Sequence, residues 1–448
     1  MISSSFSRVV AFTGAAGAVV GVVAGLRGRQ AAEFQAAARC EFYRPSYNPP
    51  PADYDGPVFK PRLDFPRSAN PGNEAFPWLD IDFRTEPERY LRKVRDYCLE
   101  GNVECDFRVE QNQIRDWYHV PWMSSQPTGR EPIHGMTMEK SSKQGMLSDS
   151  QQREVQNWAV AFYNSPGAYA VGRVWSLPWQ PAQDGAAFPE GTVMLKQIFT
   201  QATEEEVPYL KGSPVWRAAI AKTPREPGDR GPPVETRLIQ MDVAIRDDRA
   251  GIGWVFGTFV YHSSRCSDAP WRRLVPVCLQ WGNDPDLTLQ RYQEGARPVQ
   301  TWNNPRLKEL GMIPASRPYL GWLGRANGPV DNFKSCCASC HSTASVPDKD
   351  NKVPRGVPPT NATADQALWW FRNLAPRQAF EESGKSLDYS LQLSSSIKHY
   401  NGWKKSYLKN TLIGRLKDWW LEAHPFPATA SSGGHGKDDN AYIRKDLG

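Results

Sequence analysis

The sequence predicts an α+β fold in which an antiparallel β-sheet carries flanking helices. Two observations lead there. Thr192–Thr200, Arg237–Arg246, Trp254–Tyr261 and Leu274–Trp281 are runs rich in Val, Ile, Phe and Met that end at Gly, Pro or Asp clusters. Their spacing suits antiparallel neighbours. Before and after them, apolar residues recur at helical spacing instead. The chain has 448 residues, 40% apolar, with 17 Trp, 16 Tyr and 18 Phe, which is enough for one large core or two. Its 38 Pro and 35 Gly place long loops between the elements.

The first element is a signal-anchor over residues 1–30. Val9–Leu26 is an 18-residue run without a charge, flanked by Arg8 on one side and Arg27 and Arg29 on the other. That length reaches the lower limit for a membrane-spanning helix. Gly17, Gly21 and Gly25 form overlapping G-x-x-x-G pairs, through which two such helices, and hence a homodimer, can pack closely. The small residues Ala36-Ala37-Ala38 lie too far on for the usual cleavage layout, which favours an uncleaved anchor over a removed signal peptide. Arginine is more abundant after the segment than before it, which by charge alone keeps the C-terminal side in the cytoplasm.

A linker follows over residues 31–75, proline-rich from residue 41 and expected to be extended and poorly packed. Residues 76–150 read as a helical and loop extension. Thr85 and Glu88 form a capping box for a helix with Tyr90, Leu91, Val94 and Cys98 on one face. Residues 151–425 hold the sheet domain. It opens with Val155, Trp158, Ala159 and Phe162 at helical spacing, a helix that Asn164-Ser165-Pro166-Gly167 stops. Beyond the strands, Thr363 and Gln366 cap a helix through Leu368, Trp369 and Phe371. A last helix runs from about Trp403 to Ala423, with Leu408, Leu412, Leu416 and Trp419 on one side and lysines on a solvated face opposite. Residues 426–448 form a loose polar tail. No internal repeat is present.

Between sheet and last helices stands the string Cys337-Ala338-Ser339-Cys340-His341. This is the C-x-x-C-H spacing of c-type haem attachment: the thiols add across the two porphyrin vinyls, and the following histidine ligates the iron. Cys336 offers no second register. Half of a zinc site, or a redox pair, is the other use of such a string, and zinc ligands do not follow. The last methionine is Met312, so the usual downstream Met ligand is missing. His399, His424, Met194, Met241 and His262 remain as candidates for the sixth position, which otherwise stays open. Arg325, twelve residues before Cys337, is placed to hold a haem propionate. His119, His134 and His262 have no metal-type spacing. Cys98/Cys105 and Cys266/Cys278 are spaced either to close local disulfide loops or to stand as buried thiols.

The net charge of +6 is spread without a dense basic block, which speaks against nucleic acid and weakly for an acidic partner or membrane surface. No phosphate loop, nucleophile elbow or zinc cluster is found.

The order of sheet, then haem motif, carries a resemblance. Phe188-Pro189-Glu190-Gly191-Thr192-Val193-Met194-Leu195-Lys196 resembles the Asp-Gly-Thr-Val-x-Val-Lys segment of the hydroxylamine-oxidising cytochromes whose haem is cross-linked to a lysine. These belong with the β-sheet cytochromes c-prime. Tyr163-Asn164-Ser165-Pro166 is similar to that family's Tyr-x-x-Pro turn, and Asp242-Val243-Ala244-Ile245-Arg246-Asp247 to its Glu-Ala-Ser-Val-Lys-Asp strand. Gly253-Trp254-Val255-Phe256 resembles its Gly-x-Trp strand, and Asp388-Tyr389-Ser390-Leu391 its Asp-hydrophobic segment after the haem motif. The likeness covers about a third of the chain, with long inserts at 263–335 and 342–387. The chain is also similar to larger bacterial proteins that share its Trp-Val-Phe-Gly-Thr-Phe and Cys-x-x-Cys-His-Ser-Thr segments and imply no particular activity.

The resemblance implies that Lys196 matches the cross-linking lysine and Asp242 the distal carboxylate. Lys196 shares a strand face with Met194 and Ile198, where lost hydration favours the neutral, nucleophilic amine. Snorkelling, or pairing with an acid such as Asp242, is the alternative. Asp242 lies with Leu238, Gln240 and Ala244, which favours a raised pKa and a proton relay, or else a salt bridge. Three functions are compatible with these residues: electron transfer through a two-ligand haem, oxidation of hydroxylamine-like nitrogen compounds or peroxide at an open iron, and NO or CO binding. The partner is a redox protein or a small-molecule substrate. C-type attachment places the chain in the bacterial periplasm, anchored to the inner membrane. The Ser-rich, acid-free first 32 residues leave the mitochondrial intermembrane space as the alternative.

Overall fold

The computed structural model describes residues 28–124, 129–220, 232–265, 267 and 269–411. Val9–Leu26, Cys266, His424 and the polar tail lie outside the described residues. No helix among the described residues is long and apolar enough to cross a membrane.

The core is one antiparallel sheet. Its strands are β1 (Trp117–Tyr118), β2 (Thr137–Met138), β3 (Asn157–Asn164), β4 (Val193–Thr200), β5 (Val215–Ala218), β6 (Val234–Arg246), β7 (Trp254–Tyr261), β8 (Leu274–Gln280) and β9 (Thr301–Asn303). The order is β1-β3-β4-β6-β7-β8-β9, with β2 also on β3 and β5 also on β6. The helices are α1 (residues 28–42), α2 (Pro87–Leu99), α3 (Ser165–Val174), α4 (Leu289–Gln293), α5 (Cys337–His341), α6 (Ala364–Ala367) and α7 (Leu391–Asn410). The fold is therefore α+β, and the four expected strands are β4, β6, β7 and β8.

Period-two alternation splits the strands between two apolar clusters. Leu195, Val243 and Val255 face one, under Leu91 and Val94 of α2. Met194, Ala244 and Phe256 face the other, under Leu393 and Ile397 of α7. The second face receives the Cys337–His341 turn.

Several local expectations change. Residues 157–164 form a strand, not a helix. All eight are buried, and a strand covered on both faces loses the alternation that separates it from a helix. Asn164 does not stop a helix but starts one: its side chain accepts a hydrogen bond from Gly167 N at the head of α3. In α2 the N-cap is Glu86 with Pro87 at N1, and Thr85 turns back to Asp82 O. The last helix begins at Leu391, behind the Ser390 cap and twelve residues earlier than expected, and Leu412, Leu416 and Trp419 lie outside the described residues. It buries Leu393, Ile397 and Tyr400, and leaves Leu408 48% exposed. Thr363 and Gln366 do form their capping box, but α6 passes after one turn into a 3-10 turn over Leu368–Phe371.

The proline-rich connector lacks regular structure beyond α1 yet is tied down. Phe59 and Leu63 are buried, and Phe59 N donates to Pro132 O at 2.8 Å. Its prolines prevent ladder pairing without preventing side-chain burial. Residues 76–150 contribute α2, β1 and β2 to the same sheet and core. Cys98, Cys105 and Cys278 are free thiols. Cys98 is sealed on the core face of α2, whereas Cys105 turns out to donate to Gly101 O at 3.2 Å.

Candidate functional site

The C-x-x-C-H string folds as the short helix α5 because its ends are pinned. Cys336 caps it, with Ser339 returning the bond to Cys336 N at 3.0 Å. Gln280, the last residue of β8, accepts from Ala338 N at 3.0 Å and donates to Cys336 Sγ at 3.2 Å. The turn is thereby fastened to the end of β8, and Cys337, Cys340 and His341 open on a cavity of about 220 Å³.

His341 is held in one orientation and one tautomer. Its Nδ1 lies 2.9 Å from Tyr389 O, so Nδ1–H donates and Nε2 keeps its lone pair. Burial pushes its pKa down to about 4, which keeps the imidazole neutral. The Tyr389 carbonyl is set by two successive left-handed residues, Asp388 (φ 48°) and Tyr389 (φ 66°). Such non-glycine geometry costs on the order of 1–3 kcal/mol per residue. Asp388 holds the turn by accepting from Phe188 N at 3.0 Å and Trp254 Nε1 at 3.2 Å. Tyr389 anchors it by donating to Leu374 O at 2.8 Å. The Phe256 ring packs 5.0 Å from the imidazole. Cys337 and Cys340 form no disulfide, Cys337 Sγ donating to Asn327 Oδ1 at 3.8 Å, and burial holds both in the protonated form, Cys340 near 12.

The facing wall is the sheet. Met194 and Lys196 from β4, Asp242 and Ala244 from β6 and Phe256 from β7 line the same cavity. Lys196 sits directly across from Asp242 in the ladder, but its ammonium pairs with Glu139 at 2.9 Å. Burial alone lowers its pKa, and Glu139, Asp331 and Asp242 together outweigh that, so the net shift is upward. The expectation of a neutral, nucleophilic amine is thus corrected: the face is not apolar where the amine lies, because acids from two loops reach it.

Asp242 behaves as expected of a sequestered carboxyl, with partners the sequence did not name. Burial and the neighbouring Asp331 raise its pKa to about 7, against the pull of Lys196, Gln240 and Thr258. Gln240 Nε2 bridges the two acids, donating to Asp242 and to Asp331 Oδ2 at 2.9 Å, and Thr258 Oγ1 donates to Asp242 Oδ1 at 2.8 Å. Gln240 and Thr258 follow from strand alternation and register. Asp331 and Glu139 come from loops, and no sequence signal marks them.

A second cavity of about 300 Å³ adjoins the first; Glu139, Met194, Lys196, His341 and Leu391 line both. Of the sixth-ligand candidates among the described residues, Met194 is the one that lines this space with His341. Met241 points into the opposite core, and His262 binds Leu310 O at 2.9 Å. His399 is half-buried with Nδ1 3.3 Å from Trp122 O. Met123 also lines the larger cavity.

Arg325 is not at the cavity. It is fully buried, with Nε donating to Asn283 O, Nη1 to Trp322 O and Nη2 to Asp284 O and Leu287 O. A guanidinium saturated by main-chain carbonyls has no fork left for a propionate. His119 accepts from Arg62 N and His134 stacks on Trp216, so both are structural.

Among the described residues, no three His, Cys, Asp or Glu side chains are grouped to hold a metal ion by themselves. Two reduced thiols and a lone, tautomer-fixed histidine on one cleft instead fit covalent haem, whose porphyrin supplies the remaining nitrogens. No protein-family model, curated protein or solved structure matches the chain.

Proposed function

We propose that this chain is a c-type cytochrome of the extracytoplasmic side, membrane-anchored through Val9–Leu26, that binds one covalent haem and acts in electron transfer and redox chemistry. The observation that carries the proposal is the conjunction at α5. Cys337 and Cys340 present unpaired thiols to the cavity that receives His341, whose Nδ1–H is engaged by Tyr389 O. Haem attached there supplies a one-electron iron centre. The chain's own part is to keep His341 neutral and oriented, and to shield the site between sheet and α7.

A second reading, oxidation of hydroxylamine-like compounds or peroxide, is favoured by the polar wall. A pure electron carrier has no use for Asp242, Asp331, Gln240 and Thr258 lining or supporting a ligand-sized space. A carboxyl titrating near pH 7 accepts and returns a substrate proton, Gln240 holds it beside Asp331, and Thr258 fixes Oδ1. Cross-linking through Lys196 would first require its Glu139 ion pair to open.

The test is expression with a functioning c-haem maturation system, followed by mass measurement of the denatured chain and a spectrum of the dithionite-reduced protein. A haem-sized mass increment that Cys337→Ser with Cys340→Ser abolishes supports the proposal, and an unmodified wild-type chain refutes it. A sharp low-spin spectrum favours electron transfer. A broad, red-shifted high-spin Soret band favours the enzymatic reading.

A further inference from the structure

Among the described residues, the larger cavity holds a charge without a counter-charge. Arg130 is 5% exposed and lines that cavity. Among the described residues its guanidinium makes one hydrogen bond, Nη2 donating to Val120 O at 2.8 Å, and no ion pair. It lies over the Phe59 ring at 5.2 Å. Its other nitrogens are neither hydrogen-bonded nor sealed off by protein. Burial pulls its pKa down to about 9, with no acid opposing that shift. An unpaired buried cation is costly unless something anionic meets it. The other charges lining this cavity, Lys196 and Glu139, neutralise each other, which leaves one positive charge over.

Position adds direction. Cys337 and Cys340 line only the smaller cavity, Arg130 only the larger, and His341 both. The vinyl and propionate groups of a porphyrin leave from opposite edges. We propose that Arg130 is the anion-binding residue of this cleft and holds a carboxylate, a haem propionate, at the edge remote from the thiols; this rests on the haem reading above. Arg130 thereby takes the role that sequence spacing gave to Arg325. A guanidinium fork matches a carboxylate with two parallel bonds, and it stabilises the reduced haem by offsetting propionate charge.

The test compares wild type, R130K and R130Q as holoproteins. Mass measurement first establishes haem attachment in all three. With a propionate on Arg130, R130Q lowers the midpoint potential and gains a spectral transition in the ordinary carboxylic-acid range, about pH 4–5. R130K keeps the cation, loses the fork and falls between. Acetate titration separates the two sources of a carboxylate. If propionate occupies Arg130, acetate changes none of the spectra. If the site serves a free carboxylate, wild type responds saturably and R130Q binds at least about tenfold more weakly, which overturns the propionate assignment and keeps the anion site. Identical potentials, pH profiles and acetate responses in all three proteins overturn the proposal entirely. Should R130Q not fold, R130K against wild type decides by the same readouts. If wild type carries no haem, the haem reading fails by itself, and acetate-dependent thermal midpoints of wild type and R130K still judge the anion site.

Discussion

Replacing Asp242 by Asn should flatten the dependence of folding stability on pH. The Asp242 carboxyl moves from its ordinary 3.8 to about 7 because burial and Asp331 disfavour its charge more than Lys196, Gln240 and Thr258 favour it. A folded-state pKa raised above the unfolded one means that folding takes up a proton between the two values. Stability is therefore full below about pH 4, falls as pH rises towards 7, and is level above. At about 1.4 kcal/mol per pH unit, the displacement corresponds to about 4 kcal/mol. We take about 2–4 kcal/mol as the working range, since the group is only partly shielded from solvent. Asn retains an oxygen for Gln240 and Thr258 and removes the repulsion with Asp331. Urea unfolding of the full chain at intervals from pH 4.5 to 8 measures the effect. Wild type should lose up to about 1.4 kcal/mol per unit relative to D242N across the middle of that window, with the two curves parallel above about pH 7.5. Parallel curves throughout would refute the claim that this carboxyl is held protonated.

Glu139→Gln removes the nearest counter-charge of Lys196, so the amine pKa falls; amine-reactive labelling of Lys196 near pH 8 should quicken by about tenfold per unit lowered, and an unchanged rate would count against the ion pair. Asn164→Ala removes the α3 cap and strands Val193 N–H and Gly191 C=O, both buried and served by the same amide. Denaturation should show a loss of about 2–4 kcal/mol. Arg325→Leu takes a donor from four main-chain carbonyls, of which Trp322 O and Asp284 O keep a backbone N–H while Asn283 O and Leu287 O are stranded, and should cost about 3–5 kcal/mol by the same measurement. Its haem spectrum, once folded, should match wild type, whereas a shifted spectrum would return Arg325 to the site.

Sequence was most legible where one local pattern had one physical cause. Trp254–Tyr261 could be placed to the residue because β-branched and aromatic side chains between turn formers leave little else for a chain to do. It failed at Asn157–Asn164, because burial on both faces erases periodicity, and at Arg325, because a loop arginine's partners are main-chain groups far along the chain. The spacing Cys337–His341 by itself determined the haem expectation, since two thiols and a histidine within one helical turn are a local arrangement. Only the tertiary structure decided what surrounds it. Tyr389 O fixes the imidazole, Glu139 and Asp331 keep Lys196 charged, and Arg130 has no counter-charge among the described residues. Each of these depends on groups brought together from distant stretches of chain, and electrostatic environment is a property of that assembly in space.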